Sequence, residues 1–233
     1  MQAIILAGGK GSRLKPFTKI IPKPLVPIGD MPILEVVLRQ LKTAGFNDVI
    51  ITVNHLAELI MAFFGDGKKL GLNISYSMEE KPLGTAGPLS LITEYEDDFL
   101  VMNGDLLTTL DYRKMIEWHK KEKNDLTIAC YNKKVKIDYG VLERDGDVFM
   151  GCVEKPVYTY DISMGMYVFN KDMLSLVRKD ERMDMPDLQI KAKKENKQIK
   201  CYLQDCIWLD IGRPEDYEEA VKIFEEKKIE FIK

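Results

Sequence analysis

QAIILAGGKGSRLKPFTKIIPKPLVPIG, residues 2–29, opens with a short apolar run that ends in glycine. Such a run, here 2–7, reads as a buried strand feeding a loop. Glycines at 8, 9 and 11 follow, ringed by Lys10, Arg13 and Lys23, with no acidic residue before Asp30. Glycines alone would describe only a tight strand-to-helix turn. Arg13 can clamp two phosphate oxygens, and Lys23 supplies a point charge aimed by Pro22 and Pro24, which favours a phosphate nest. Two common phosphate loops do not fit. A Walker A loop needs glycine where Ile4 stands and Ser or Thr where Gly11 stands, and a dinucleotide fingerprint needs glycine at Leu14. A third kind of phosphate site is expected.

Outward from this loop, strand and helix alternate. Helical spacing predicts helices over 32–45, 55–65, 85–95 and 111–123, and apolar runs predict strands at 48–53, 73–77, 98–105 and 126–131. That alternation is the signature of a doubly wound α/β protein: a Rossmann-like, mostly parallel mixed sheet flanked by helices. The second half is richer in strands. A hairpin over 141–156 turning at Asp145–Gly146, a strand at 161–170, a helix at 185–196, a strand at 200–205 and a helix at 214–228 are expected. With no linker or repeat, the chain reads as one domain over 1–233. Its nucleotide-binding half is 1–131, and a strand-richer half, 132–233, shares the sheet.

The 233 residues suit one fairly large domain, and 45% hydrophobic with 30% charged residues describes an ordinary chain able to bury a core. A net charge of −3 gives no global attraction to nucleic acid or membrane. Four cysteines without a C-x-x-C pair, and only two histidines, point to free thiols in a reducing compartment rather than zinc. No leader and no apolar run approaching the ~20 residues of a membrane span is seen, so a cytoplasmic protein is expected.

In a sheet of this kind ligands collect at the carboxyl ends of strands. Asn103-Gly104-Asp105 ends the 98–105 strand, and Asp105 reads either as a turn residue or as a carboxylate for Mg²⁺ beside phosphates. Asp210, in WLDIG, is placed similarly, and the two together could hold one ion. Glu154 and Lys155 read as a surface ion pair unless a ligand recruits them. His55 and His119 read as structural or surface residues, and the methionines at 164, 166, 183 and 185 as packing.

GGKGSRLKPFT (8–18), PKPL (22–25), PLGTAGPL (82–89), NGD (103–105), YGV (139–141), VEKP (153–156), MGMYVF (164–169) and WLDIGRPEDY (208–217) resemble, in order, the sugar-1-phosphate nucleotidyltransferases. The resemblance is nearest to members like the mannose-1-phosphate guanylyltransferases. It implies transfer of a nucleoside monophosphate from a triphosphate to a sugar 1-phosphate, with Mg²⁺ and loss of pyrophosphate. On this chain it implies that Leu6, Ala7, Gly8, Gly9, Gly11, Ser12, Arg13, Glu79, Gly84, Thr85, Asn103 and Gly104 meet the nucleotide. It makes 132–233 the sugar-phosphate-binding half, assigns Lys23, Gly140, Glu154, Lys155 and Ser163 to the sugar phosphate, and gives Asp105 and Asp210 to the metal. Arg13, Lys23 and Asp105 would carry the catalysis. No protein nucleophile or general base is needed, because the attacking phosphate oxygen is already ionised.

A carboxylate at Glu79 can accept two hydrogen bonds from guanine, where uracil or thymine offers one donor, so GTP is favoured over UTP, CTP or dTTP. Two departures from the family pattern stand out. Ser12 replaces a common threonine, and Ser163-Met164-Gly165 replaces N-A-G, which leaves room for a heptose or amino sugar. The absence of hexapeptide repeats argues against acetyl transfer, and a homodimer is compatible with the sequence. The rivals are a nicotinamide oxidoreductase, which the missing glycine and basic loop disfavour, and a non-catalytic regulator. The latter should have lost one of Arg13, Lys23, Asp105 or Asp210.

Overall fold

The computed structural model describes residues 1–9, 11–14 and 17–232. β1 (Gln2–Leu6) is the hinge of the sheet, pairing in parallel with β4 (Asp48–Val53) on one side and β6 (Asp98–Asn103) on the other. β5 (Asn73–Met78) adds a parallel edge strand beside β4. Beyond β6 the sheet turns mixed. β11 (Val157–Asn170) runs antiparallel to both β6 and β8 (Leu126–Lys136), and β12 (Ile199–Leu203) closes the other edge in parallel with β8. The order β12-β8-β11-β6-β1-β4-β5 makes a seven-stranded, mostly parallel sheet of one α/β domain.

Period-two alternation explains how β1 builds two cores. Ala3 and Ile5 face one side, packing with α1 (Ile33–Thr43), α2 (Ala57–Phe64) and α3 (Tyr112–Glu122) through Leu38, Ile60 and Met115. Ile4 faces the other, with Phe99, Phe169 and Leu188 of α4 (Met185–Lys194). A third cluster seats α5 (Pro214–Phe231) through Phe224 and Phe231 on Ile28 and Leu107. Short ladders pin the loops: β2 (Pro27–Ile28) with β3 (Met31–Pro32), and β7 (Leu106–Thr108) with β13 (Trp208–Asp210). β9 (Gly140–Asp145) and β10 (Val148–Glu154) form a separate hairpin turning at Gly146, φ +56°.

Two elements depart from the periodicity. Residues 85–95 hold only a single 3₁₀ turn, Gly87–Leu91. Pro88 has no N–H to donate, and the amides of Ala86 and Gly87 are taken by the Met183 carbonyl, so an α-helix has no ladder to extend. β8 and β11 run longer than their apolar cores suggest, because Asn132–Lys136 pair with Val157–Asp161 outside the body of the sheet. Met164, Met166 and Met185 are buried, as packing residues should be.

His119 is buried on α3, with Nδ1 2.8 Å from the Thr127 hydroxyl and Nε2 3.3 Å from Asp98 Oδ1. Asn124 Nδ2 donates to Thr127 Oγ1 (3.0 Å), which leaves the hydroxyl proton free to go to Nδ1 and puts the imidazole proton on Nε2. The Nε2 approach to Asp98 is too poorly aligned for a good hydrogen bond. Burial therefore wins over the Asp98 charge and pulls the His119 pKa below its ordinary value. Between that lowered value and ~6.5 the unfolded chain binds more protons than the folded one, so stability should rise with pH up to about 6.5. Urea titrations at a series of pH values should show this slope in the wild type and a flatter one in His119→Gln. Parallel curves would remove His119 from the pH dependence.

Candidate functional site

The parallel strands β1, β4, β5 and β6 all deliver their carboxyl ends to one edge, and the glycine loop leaves from β1 there. Gly104, just past β6, donates its N–H to the Leu6 carbonyl (2.9 Å), which locks the Asn103–Asp105 tip beside that loop. A side chain on Gly104 would crowd Ile5 and the Leu6 carbonyl, so the close approach needs glycine.

Lys23 crosses to Asp105. It sits in a 3₁₀ turn, Lys23–Leu25, between Pro22 and Pro24, and its Nζ makes a short ion pair with Asp105 Oδ2. The Lys23 side chain is 11% exposed, a depth at which a lysine requires a partner. Asp105 Oδ1 is buried and has no partner among the described residues. The β7–β13 ladder sets Asp210 opposite Leu106, and the Ile211 N–H points to the Asp105 carbonyl at 3.5 Å, so the two carboxylates share one neighbourhood. The Asp210 carboxyl is raised above its ordinary pKa, first by partial loss of water and then by the Asp105 charge, against the pull of Lys23 and Arg13. Asp210 still faces an open cleft of about 1080 Å³, which Arg13, Arg213, Asp216, Tyr131 and Trp208 also line. Arg13 Nη1, Asp210 Oδ2 and Asp216 Oδ2 converge over Gly212, each 3.5–3.6 Å from where its Cβ would be.

Two carboxylates, one with an unpartnered buried oxygen, form a hard all-oxygen donor set. That set fits Mg²⁺, which takes one or two carboxylates and fills its remaining positions with water and substrate phosphate. No group of three or more His, Cys, Asp or Glu side chains is arranged for a metal among the described residues.

On the other side of the glycine loop Glu79 is buried, its Oε2 accepting from the Leu83 N–H (3.1 Å). Its own N–H donates to the Val53 carbonyl (2.9 Å), and its carbonyl accepts from Asn54 Nδ2 (2.8 Å), so this carboxylate is fixed in place. Burial raises its pKa. Gly8 lies against it: a Cβ there would stand 2.3 Å from Glu79 Oε1. Gly11 has φ +57° and backs onto Thr18, whose hydroxyl donates to the Gly11 carbonyl (2.7 Å). Gly9 is exposed, Leu6 is half-buried, and Ala7 is buried with its N–H on the Thr52 carbonyl. Lys10 and the Ser12 side chain lie outside the described residues.

The remaining expected residues divide. Gly84 (φ +82°) and Thr85 tie the 79–87 segment to α4: the Thr85 hydroxyl accepts from the Met185 N–H (2.7 Å), and its N–H donates to Asp184 Oδ1 (3.3 Å). Asn103 lies against Gly165 (φ +72°), and Ser163 shares a hydrogen bond with the Tyr167 hydroxyl (3.1 Å). Gly140, Glu154 and Lys155 are grouped with each other on the exposed hairpin, Glu154 opposite Gly140 in register. No hydrogen bond or ion pair joins them to Lys23, Asp105 or Asp210 among the described residues. Sequence reasoning missed Thr18, Arg213, Asp216 and Trp208 as parts of this edge. Trp208 lay inside the quoted WLDIG motif, and its Nε1–H on the Met164 carbonyl (3.1 Å) fixes the cleft wall.

The profile of the nucleotidyl transferase family matches residues 2–227. A D-glycero-alpha-D-manno-heptose 1-phosphate guanylyltransferase from Aneurinibacillus thermoaerophilus is 34% identical, over 95% of this chain and 97% of its own. A UTP–glucose-1-phosphate uridylyltransferase from Synechocystis is 32% identical over 95% of this chain, which spans 63% of that longer relative. The structure of HddC from Yersinia pseudotuberculosis complexed with GMP-PN superposes with a TM-score of 0.72. Its identity is 29%, covering 96% of this chain and 99% of that one.

The fit between Gly8 and Glu79 has a measurable consequence. Gly8→Ala should cost ~1–3 kcal/mol in urea unfolding, since overpacking a fixed neighbour costs that much. Gly9→Ala, whose Cβ meets nothing within 4 Å, should leave stability nearly unchanged. Equal costs would mean that Glu79 gives way.

Proposed function

Because the chain belongs to the nucleotidyl transferase family, we propose that it transfers a nucleoside monophosphate from a triphosphate to a sugar 1-phosphate, releasing pyrophosphate. The observation that carries the reading is the buried, unpartnered Asp105 oxygen set between Lys23 and Asp210 at the strand ends. Gly8, Gly9 and Gly11 offer backbone N–H groups to the triphosphate, and Arg13 balances the charge of the departing pyrophosphate. Lys23 meets the phosphate of the attacking sugar. Mg²⁺, when held by Asp105 and Asp210, supplies Lewis-acid charge neutralisation at the transferring phosphoryl group. The chain contributes positioning and charge rather than a nucleophile, because the sugar-phosphate oxygen is ionised already.

GTP is the favoured triphosphate. Glu79 faces the loop with a fixed carboxylate whose oxygens each retain a lone pair for guanine, and the Aneurinibacillus relative is a guanylyltransferase by name. The uridylyltransferase relative makes UTP the second candidate. A heptose 1-phosphate acceptor suits Ser163-Met164-Gly165 in place of N-A-G, and the A. thermoaerophilus relative is named for one. The four free cysteines suit a cytoplasmic setting, and no described helix is long and apolar enough to cross a membrane.

Pyrophosphate release with Mg²⁺, crossing GTP, UTP, CTP, dTTP and ATP with mannose, glucose, glucosamine and heptose 1-phosphates, tests the reading. One strong pair with GTP is expected. Turnover with UTP instead would reassign Glu79, and silence with retained triphosphate binding would leave a regulator. Asp105→Asn should lower turnover at least ~100-fold with the melting temperature little changed. Lys23→Ala should act chiefly on KM for the sugar phosphate, and a loss confined to kcat would move Lys23 to the transition state.

A further inference from the structure

Lys23 and Asp105 close each other off. Lys23 Nζ is bonded to Asp105 Oδ2, and Oδ1 of the same carboxylate is buried without a partner among the described residues. One oxygen is held and the other is covered, so neither stands open to an incoming ion. Lys23 itself is buried, with Asp105 as its one ion-pair partner among the described residues. The backbone on either side is fixed. Pro22 and Pro24 set the path, and the Leu25 N–H to Pro22 carbonyl (2.8 Å) and Val26 N–H to Lys23 carbonyl (3.0 Å) close the turn. Gly11 packs on the base of the stem, where its own Cβ would stand 3.2 Å from Lys23 Cβ. What is left to move is the flexible four-carbon stem, which carries three rotatable donors.

We propose that Lys23 is a latch on Asp105, shut in the empty protein and drawn off by a phosphate dianion, so that phosphate and divalent cation bind with positive coupling. That the phosphate belongs to the acceptor sugar rests on the proposed reaction. Charge forces the exclusion. An ammonium and a divalent ion on one carboxylate repel each other twice as strongly as two unit charges, at a depth where salt and water screen little. An ammonium that leaves Asp105 there needs another anion, because a buried lysine without one is costly. A phosphate dianion supplies that anion with two charges in place of one. Asp105 is then left with its full charge and no counter-ion, the state in which a carboxylate draws Mg²⁺. Either ligand alone has to break the ion pair, and the second finds it already broken. The coupling is reciprocal: the factor by which phosphate tightens the cation is the factor by which the cation tightens phosphate.

Binding of Mn²⁺, which shares the octahedral oxygen preference of Mg²⁺, reads the latch without turnover when free Mn²⁺ is counted by electron paramagnetic resonance. Methyl phosphate, the smallest monoester dianion, should tighten Mn²⁺ on the wild type at least ~5-fold, the lower end of ordinary coupling between sites. Lys23→Met should tighten Mn²⁺ at least ~10-fold without phosphate and abolish the methyl phosphate effect, with circular dichroism unchanged. Arg13→Met removes a cation of the same edge that makes no ion pair with Asp105, and should shift Mn²⁺ affinity less than ~3-fold. Equal tightening in the two variants would mean a general effect of charge and would overturn the latch, as would a wild type whose Mn²⁺ affinity ignores methyl phosphate. The wild-type measurement needs no variant, so it decides the matter even where Lys23→Met folds poorly. Absence of coupling with pyrophosphate release intact would remove the latch and keep the proposed reaction. Absence of Mn²⁺ binding from the wild type and Lys23→Met alike would take away the metal site on which both depend.

Discussion

The ion pair between Lys23 and Asp105 is the constraint around which the strand-end edge is built. Placing an ammonium beside a carboxylate at this depth costs desolvation on both sides, and a well-packed apolar pair would often be as stable. The chain spends backbone order to hold it. Pro22 and Pro24 fix the path on either side of Lys23, and Gly11 in a left-handed conformation lets the loop pass over the lysine stem. The Gly104 amide anchors Asp105 to β1 through the Leu6 carbonyl. Each of these features is a local sacrifice of propensity to a long-range contact.

The edge is also left electrostatically unfinished. Asp105 keeps one buried oxygen without a partner, a debt of ~1–3 kcal/mol that a bound cation would relieve. Asp210 is held above its ordinary pKa by loss of water and by Asp105, which is the state of a carboxylate waiting for positive charge. Glu79 on the opposite wall is likewise raised by burial. Carboxylates thus sit preorganised on both sides of the glycine loop, with Lys23 and Arg13 beside the Asp105–Asp210 pair, and strain of this sort is found where binding offsets it.

Much of this was legible beforehand because it rests on local rules. The run at 2–7, the strands through β6, and Gly146 at the hairpin turn follow from side-chain period and backbone sterics alone, whereas the helix expected at 85–95 does not form. Asp105 and Asp210, 105 residues apart, were paired on their similar placement and on motif order, with nothing in the spacing to show that they meet. Their meeting depends on the β7–β13 ladder, three residues long and without a period to detect. Thr85 reads in sequence as part of a ligand loop, yet its hydroxyl and amide are spent joining that loop to α4. Such side-chain-to-backbone ties carry no pattern. Lys133, Lys134 and Lys136 broke the alternation expected of a strand, and only pairing with residues 157–160 makes them one.

The same contrast separates the body from the arm, the ribbon that the outer ends of β8 and β11 form with the β9–β10 hairpin. In the body, β1 is covered on both faces, and its neighbours inherit rigid positions from it; that is why groups as far apart in sequence as Lys23, Asp105 and Asp210 can be held together. On the arm, Gly140, Glu154 and Lys155 have register with one another but no packing behind them. A ligand seated at the strand ends and touching the arm would have to supply the order that the arm lacks, at a cost in affinity for every rotatable group it fixes. Lys155 already holds a left-handed φ of +46° just before Pro156, so the bend between the two ladders is set in advance even though the arm beyond it is bare. A preset bend on an uncovered ribbon is what a chain needs if order is to come from a surface that packs against it, and it leaves the rigid strand-end edge undisturbed when that happens.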